Sequence, residues 1–498
     1  MKKYSVYRTL SILFLLFLTV GANSQQLNIP LNQQFFNEYE RHLLKSSISG
    51  HHSFKPLRVD QTHNRQELKD VGLQVLDLER HNSSYSLFRR KLMHEHLILI
   101  DTANVQISID PILNLEIGQE SGTLTATNLY KNTRGFVVRS NIGKNFSFES
   151  SFRENQAILP QYIADRIEST KVAYGQGRVK KFKETAYDFS MSSAYVSFTP
   201  NKILNIRAGH GKHFIGDGQR SLLLSDLSFN YPYLRLQTSW FNDRLEYQNL
   251  YTSFQDLNRL PLANSSEALF ERKRGSFHFL EYSVSENLNI GFFEGIIWPS
   301  LDSSGNIYVG ANYWLPIIFV NTLIEGKSKK GNSLIGMNAN MKFSSSILTY
   351  AQVALFDEEL NQTDFQLGIK WFFHKNWMVQ LEFNQSERDK VSNNYTQYNE
   401  SLTQPLIGMD ELISTVQFRK DRWISNFMAN YAADNESEVL YADLNQSYLM
   451  NPSTNLTLSI GIQFRDQQFT SQSISGNNET VFLYVGLRTN LQNLYFNY

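Results

Sequence analysis

The chain of 498 residues contains no cysteine. That excludes a disulfide framework, a thiolate metal site, a cysteine nucleophile and a lipid-modified cysteine. Charge of either sign in excess is also missing: Lys plus Arg number 47 and Asp plus Glu number 47, a formal net charge of zero. A neutral chain offers no electrostatic footprint for nucleic acid. Long apolar runs are absent beyond the N-terminus, where no stretch reaches the roughly 18 apolar residues a helical membrane span requires. A closed sheet escapes that exclusion, because a bilayer tolerates strands once every backbone group is paired. Catalytic signatures are missing too. No Gly-x-Ser-x-Gly elbow occurs, no His-Glu-x-x-His occurs, and no two carboxylates can be paired by spacing. The residues read as a non-enzyme without cofactor or metal, and a hydrolase is disfavoured.

What is present is alternation. Leu456, Leu458, Ile460, Ile462 and Phe464 alternate with Thr457, Ser459, Gly461 and Gln463. Phe365, Leu367, Ile369 and Trp371 alternate with Gln366, Gly368 and Lys370. Successive strand side chains point to opposite faces, so each segment has one apolar and one polar face. Mean hydropathy is only −0.36, which does not argue against a barrel, since half of each strand faces a polar lumen. Aromatics make up 13% of residues and can fill the interfacial girdles.

From Val105 onward, short turns fall at Gly143–Asn145, Pro200–Asn201, Asn242–Asp243, Ser285–Asn287, Ser344–Ser346, His374–Asn376, Lys420–Arg422 and Asn451–Thr454. Nine longer connections alternate with these eight turns. Short periplasmic turns and long outer loops are the pattern of outer-membrane barrels. The expected fold class is therefore all-β: a transmembrane antiparallel β-barrel of 18 strands, both ends periplasmic. A version with 20 strands would add a hairpin turning at Pro316. The final Leu494-Tyr495-Phe496-Asn497-Tyr498 reads as an aromatic terminal strand.

Residues 1–24 read as a cleaved export signal. Lys2, Lys3 and Arg8 precede the apolar run Leu10–Val20, and Gly21, Ala22 and Ser24 follow. Residues 25–100 form a distinct, partly helical segment, periplasmic or plugging, and residues 101–498 form the barrel. Within the segment, Asn32–Lys45 places Phe35, Phe36, Tyr39, Leu43 and Leu44 on one helical side.

Two loop motifs stand out. The first runs Gly209-His-Gly-Lys-His-Phe-Ile-Gly-Asp-Gly-Gln-Arg-Ser221. Its spacing fits neither nucleotide fingerprint, and His210 with His213 lack a third metal ligand. It reads as a loop tightly turned by glycines, folded over or into the barrel mouth, with Lys212, Asp217 and Arg220 satisfying one another. As a binding surface it would offer cations to carboxylates and Tyr231, Tyr233 and Phe229 to sugar faces. The second motif, Gly175–Lys183, carries Arg178, Lys180, Lys181 and Lys183. It reads as a solvated loop face or as a surface for anionic polysaccharide or lipopolysaccharide. Both motifs are expected on the extracellular side. Lys370, Glu382, Lys342, Arg419 and Arg465 fall on lumen faces and read as pore lining.

The runs Tyr187–Phe189, Ala194–Pro200 and Ile206–Asp226, with Gly175–Arg178, Pro316–Phe319 and Leu334–Asn338, resemble the Wzi-like capsule-assembly family as it occurs in Bacteroidetes, and within it the RemB-type gliding branch. The resemblance spans residues 100–498. It implies an 18-stranded outer-membrane barrel with a blocked lumen and no enzymatic role. It also implies members that hold capsular polysaccharide or that support gliding. Gln219 stands where an aromatic residue is expected.

The combined expectation is an outer-membrane barrel that binds or anchors surface polysaccharide in gliding motility or capsule assembly. Its partners would be outer-membrane lipid, lipopolysaccharide, surface or capsular polysaccharide and other gliding or envelope proteins. The candidate contacts are Arg178, Lys180, Lys181, His210, Lys212, His213, Asp217, Arg220, Tyr231 and Tyr233. The alternative is a porin-like channel for sugars or other small solutes.

Overall fold

A computed structural model describes residues 27–45, 50–58, 84–122, 127–259, 270–299, 310–328, 332–356, 363–387, 395–404, 408–469 and 479–495. Residues 1–24, read from the sequence as an export signal, lie outside these. Eighteen strands close a single antiparallel barrel. They are β1 Val105–Ser121, β2 Thr127–Ile142, β3 Phe146–Ile158, β4 Ala186–Phe198, β5 Leu204–Gly211, β6 Tyr231–Trp240, β7 Leu245–Arg259, β8 Phe270–Ser283 and β9 Leu288–Pro299. The wall continues with β10 Asn332–Ser344, β11 Ile347–Phe356, β12 Thr363–Trp371, β13 Trp377–Gln385, β14 Asp410–Lys420, β15 Trp423–Ala433, β16 Ser437–Asn451, β17 Leu456–Phe469 and β18 Thr480–Thr489. Closure comes from β18 on β1, with Val481 opposite Ser121 and Arg488 opposite Asn114. The eight short turns fall where the sequence places them, and the 18-strand count holds. The extra hairpin at Pro316 does not form: Ala311–Trp314 is a 3-10 turn and Val320–Ser328 a helix.

The wall is inside out relative to a soluble protein. Leu458, Ile460, Leu367, Leu381, Leu412 and Leu483 are exposed on the outer face. Gln366, Lys370, Gln380, Glu382, Glu411 and Gln417 are buried on the inner one. Beside the short turns, Trp371, Phe373, Trp377 and Phe418 form a chain of rings with centroids 4.8, 5.9 and 4.7 Å apart. This is an interfacial aromatic girdle, and it marks the periplasmic edge of the bilayer.

The lumen is filled. Helix α1, Gln33–Lys45, crosses its periplasmic end. The five apolar residues read from the sequence are buried, and so are Gln34, Asn37, Glu38, Glu40 and Arg41. An amphipathic helix normally leaves its polar face to water. Here that face meets a polar wall instead. Lys370 Nζ donates to Glu40 at 2.7 Å and to Asn37 at 3.1 Å, and Lys342 Nζ donates to the Leu43 carbonyl at 3.2 Å. The chain then returns: Phe54–Lys55 pairs antiparallel with Phe214–Ile215, a two-stranded sheet inside the barrel. Lys370, Lys342 and Glu382 are thus plug anchors, not lining of an open pore.

Two further departures matter. Leu494 and Tyr495 of the aromatic terminus are not in a wall strand, and residues 496–498 lie outside the described residues. β18 ends at Thr489, and Asn490–Tyr495 turns into the lumen, where Tyr495 packs with Tyr174 and Leu227. In addition, residues 310–328 lie against the outer wall. Asn249, His278 and Glu294 sit opposite one another on β7, β8 and β9 and point outward, since their neighbours Leu250, Phe277 and Phe293 belong to the lumenal core. A bare polar row facing lipid would be costly. The 310–328 segment covers it, and the row in turn satisfies the segment's backbone: Phe319 N–H and Thr322 N–H donate to Glu294 at 2.7 and 2.8 Å, and Tyr247 Oη donates to the Pro316 carbonyl at 2.8 Å. Irregular backbone at membrane depth requires such partners.

Candidate functional site

The long loop between β5 and β6 does not face outward. Residues 213–228 are buried apart from Gln219, and Leu222, Leu223 and Leu224 form the centre of the lumenal core with Phe54, Phe277 and Phe293. Gly216 explains part of this course. Its φ of 119° is open to glycine, and a Cβ there would collide with Gln352 Nε2.

Lys212, Asp217 and Arg220 do not satisfy one another. Asp217 lies 3.3 Å from His52 and 3.7 Å from Lys55, both on the N-terminal plug. Arg220 pairs with Glu411 on β14 at 2.6 Å. Lys212 donates to the carbonyls of Gly175 at 2.7 Å and Asp226 at 2.9 Å. His213 packs edge-on to Tyr233 at 4.5 Å and hydrogen-bonds Tyr231 at 3.2 Å. Burial pushes the His213 imidazole well below its usual range, with Arg235 and Arg207 adding to the effect. These groups, with both tyrosines buried, hold the plug together.

The remaining candidates stay at the outer rim. Arg178, Lys180 and Lys181 are exposed, and His210 is half-buried at the end of β5. Lys181 pairs with Glu168 at 3.0 Å. Hydrogen bonds from Lys181 and Tyr187 hold the Glu168 carboxyl down at about 2.

Around Arg178 the structure assembles residues from four separate loops and strand ends. Phe229 and Tyr398 stack with ring centroids 4.9 Å apart and planes at 13°. His210 meets Phe229 edge-on at 5.9 Å, and the Arg178 guanidinium lies 5.4 Å over Phe270. Phe229 and Tyr398 are both half-buried. Burial pushes the Tyr398 phenol upward, and the nearby Arg178 charge opposes it.

The platform rests on a rigid base. Tyr398 sits in the tight turn of a hairpin, Thr396–Gln397 with Glu400–Ser401. Tyr398 N–H donates to the Gln255 carbonyl at 2.7 Å, and Gln397 Nε2 donates to the Asn230 carbonyl at 2.9 Å. Gly177 (φ 98°) admits the Phe229 ring, which a Cβ would approach to 2.7 Å. Beneath, Gly175 N–H donates to Glu400 at 3.2 Å, and burial pushes the Glu400 carboxyl upward against the pull of Lys212. The terminal tail joins this base: Tyr495 Oη donates to Asp226, and Asn493 Nδ2 donates to Asp226 at 3.0 Å. Sequence reading missed Tyr398 and Phe270, since 142 positions separate Gln255 from Gln397 in the chain and no local signal links them.

No family model and no curated protein sequence matches the chain. Among solved structures the fold recurs. The chain is similar to Wzi, an outer-membrane protein involved in group 1 capsule assembly in Escherichia coli and described as a carbohydrate-binding β-barrel. The TM-score is 0.57 and the identity 13%, over 93% of this chain and 99% of that one. The overlay therefore supports a Wzi-like barrel fold. Weaker likenesses are to OpdK of Pseudomonas aeruginosa, solved with vanillate (TM-score 0.43, identity 9%, over 76% and 98% of the two chains), and to OccAB2 of Acinetobacter baumannii (TM-score 0.44, identity 10%, over 76% and 97%).

Proposed function

We propose that this chain is a non-enzymatic, plugged barrel of the outer membrane that holds a surface polysaccharide at its outer rim. The observation that carries the reading is the Phe229–Tyr398 pair beside Arg178, held on a packed lumen. Stacked aromatic faces suit the apolar face of a pyranose ring. A guanidinium alongside suits the carboxylate of an acidic sugar, and the exposed Lys180 and Lys181 extend that cationic surface. Of the residues singled out in the sequence, Arg178, Lys180, Lys181 and His210 belong to this reading. Lys212 acts beneath it, and His213, Asp217, Arg220, Tyr231 and Tyr233 act through the plug. The likeness to Wzi, itself named as carbohydrate-binding, supports the same direction. The role in gliding motility, as in RemB-type proteins, or in capsule assembly rests on the sequence resemblance.

The test is binding of an acidic capsular polysaccharide to the purified full chain by calorimetry. Tyr398→Ala and Arg178→Ala should each weaken binding about tenfold, consistent with the loss of one ring stack or one charged contact. Unchanged affinity in both variants would remove the platform from the reading. A porin-like role predicts steady open-channel current in a planar bilayer, and the filled lumen predicts none.

A further inference from the structure

A second surface lies at the opposite end of the barrel. Helix α2, Leu87–Met93, is docked under the periplasmic rim. Asn451 Nδ2 donates to the carbonyls of Lys91 and Glu95, both at 3.0 Å, and Ser453 Oγ donates to the His94 carbonyl at 2.8 Å. Asp110 of β1 receives His96 Nδ1 at 2.6 Å and Leu97 N–H at 2.9 Å. So many fixed contacts define which way the helix faces, yet none of its residues is buried. Leu87 is 73% and Phe88 75% exposed, with Tyr85 beside them at 44%.

This apolar surface continues the lipid-facing wall. Just after α2, Ile98–Asp101 adds a short strand to β1, with Ile98 opposite Ile109 and Ile100 opposite Ile107. It occupies the edge of β1 that β18 leaves open below Asn114. Leu97, Ile98 and Ile100 are exposed there at 46–48%. The level matches the membrane boundary: Arg422, which contacts His94 at 3.3 Å, adjoins the wall pair Trp423–Tyr448, whose rings lie 5.0 Å apart. Charge is cationic at the same place. Arg89, Arg90 and Lys91 on the helix and Arg422 beside it outnumber Glu95 and the turn residue Asp421, with Glu95 shared by Arg90 at 2.5 Å and Lys91 at 3.2 Å.

We propose that Tyr85–Ile100 is an interfacial anchor whose partner is the phospholipid of the periplasmic leaflet. Leu87 and Phe88 enter the acyl region, while Arg89, Arg90 and Lys91 lie at anionic headgroups, the arrangement that holds an amphipathic helix in the interface plane. The inference rests on the reading that the barrel spans the outer membrane. Its consequence is a fixed tilt and depth for one sector of the rim.

The absence of native cysteine makes the test direct. Full-length Phe88→Cys, Leu87→Cys, Ile460→Cys and Lys202→Cys variants are nitroxide-labelled in nanodiscs of phosphatidylethanolamine with phosphatidylglycerol. Relaxation by O2 and by a water-soluble nickel chelate is then compared. The O2-to-chelate ratio at positions 87 and 88 should rank with Ile460 on the lipid belt and exceed that at Lys202 in a periplasmic turn by about threefold or more. Replacing phosphatidylglycerol with a zwitterionic lipid should lower the ratio at 87 and 88 and leave Ile460 unchanged. Ratios at 87 and 88 equal to Lys202 would overturn the anchor, and so would shielding from both reagents, which would mean a protein covers the helix. An aqueous reading at Ile460 would instead overturn the membrane-spanning reading itself.

Discussion

Arg220 and Glu411 meet inside the barrel in a two-pronged ion pair. Nη2 lies 2.6 Å from Oε1, and Nε lies 3.1 Å from both carboxylate oxygens. Both side chains are at most 1% exposed. The pair fastens the β5–β6 loop to the wall, and Glu382 reinforces it by accepting the Gln219 N–H at 2.6 Å and the Arg220 N–H at 3.0 Å. The loop expected at the extracellular mouth is thereby enclosed within the barrel.

Glu411→Ala should destabilise the plug by about 3–5 kcal/mol, the usual cost of leaving one member of a buried ion pair alone. Arg220→Met combined with Glu411→Leu should cost less than the single change, because no charge is stranded. Thermal unfolding in detergent measures both. Planar-bilayer recording of the single variant should show intermittent current where the parent shows none.

The N-terminal plug should loosen in mild alkali. Burial disfavours the charged His51 ring, but the hydrogen bond it donates to Glu281 at 3.0 Å and the charge of that carboxylate outweigh this and raise His51 to about 9. A raised folded value means the contribution is complete below the ordinary value of about 6.5 and is lost as pH climbs through about 9. Protection factors for hydrogen exchange at Ser53–Leu57 should therefore fall between pH 6.5 and 9. In His51→Gln they should be lower throughout and flat across that window.

Glu294→Ala should release the segment on the outer wall. Phe319 N–H, Thr322 N–H and Thr322 Oγ1 all lose their acceptor. Each unpaired buried group costs about 1–3 kcal/mol, and lipid supplies no water in exchange. A nitroxide at Leu323 should gain mobility in this background, while Glu294→Gln, which keeps one acceptor oxygen, should fall between.

Tyr495→Phe should lower stability by about 1–3 kcal/mol, because it removes one of two side-chain donors to the buried Asp226 carboxylate. The barrel wall should still form, as its last strand ends at Thr489. Retained heat-modifiable migration on a gel, together with a reduced melting temperature, is the expected pair of results.

The wall was legible in the sequence, and the reason is local. Strand alternation and turn chemistry act over a few residues, so His374–Asn376 and Lys420–Arg422 could be read where they stand. Eight turns and nine longer connections then give 18 strands and an end of the barrel for each connection, with the segment around Pro316 left open between a loop and a further hairpin. The N-terminal helix was legible for the same reason, since Phe35, Tyr39 and Leu43 recur at helical spacing.

The contacts that fill the barrel were not legible. Lys370 lies 330 positions from Glu40, and a polar residue on a lumen face has the same pattern whether it meets water or a plug. One sector even reverses its polarity: Leu250, Phe277 and Phe293 point inward to Leu222 and Leu223, while Asn249, His278 and Glu294 point outward under residues 310–328. Phe229 and Tyr398 likewise stack only because separate loops converge at the rim. The sequence by itself determined a closed wall with a direction, because each strand carries its own two faces. Tertiary structure alone decided by which contacts the lumen is shut and which side chains meet above it, because those contacts join segments hundreds of residues apart that carry no local sign of one another.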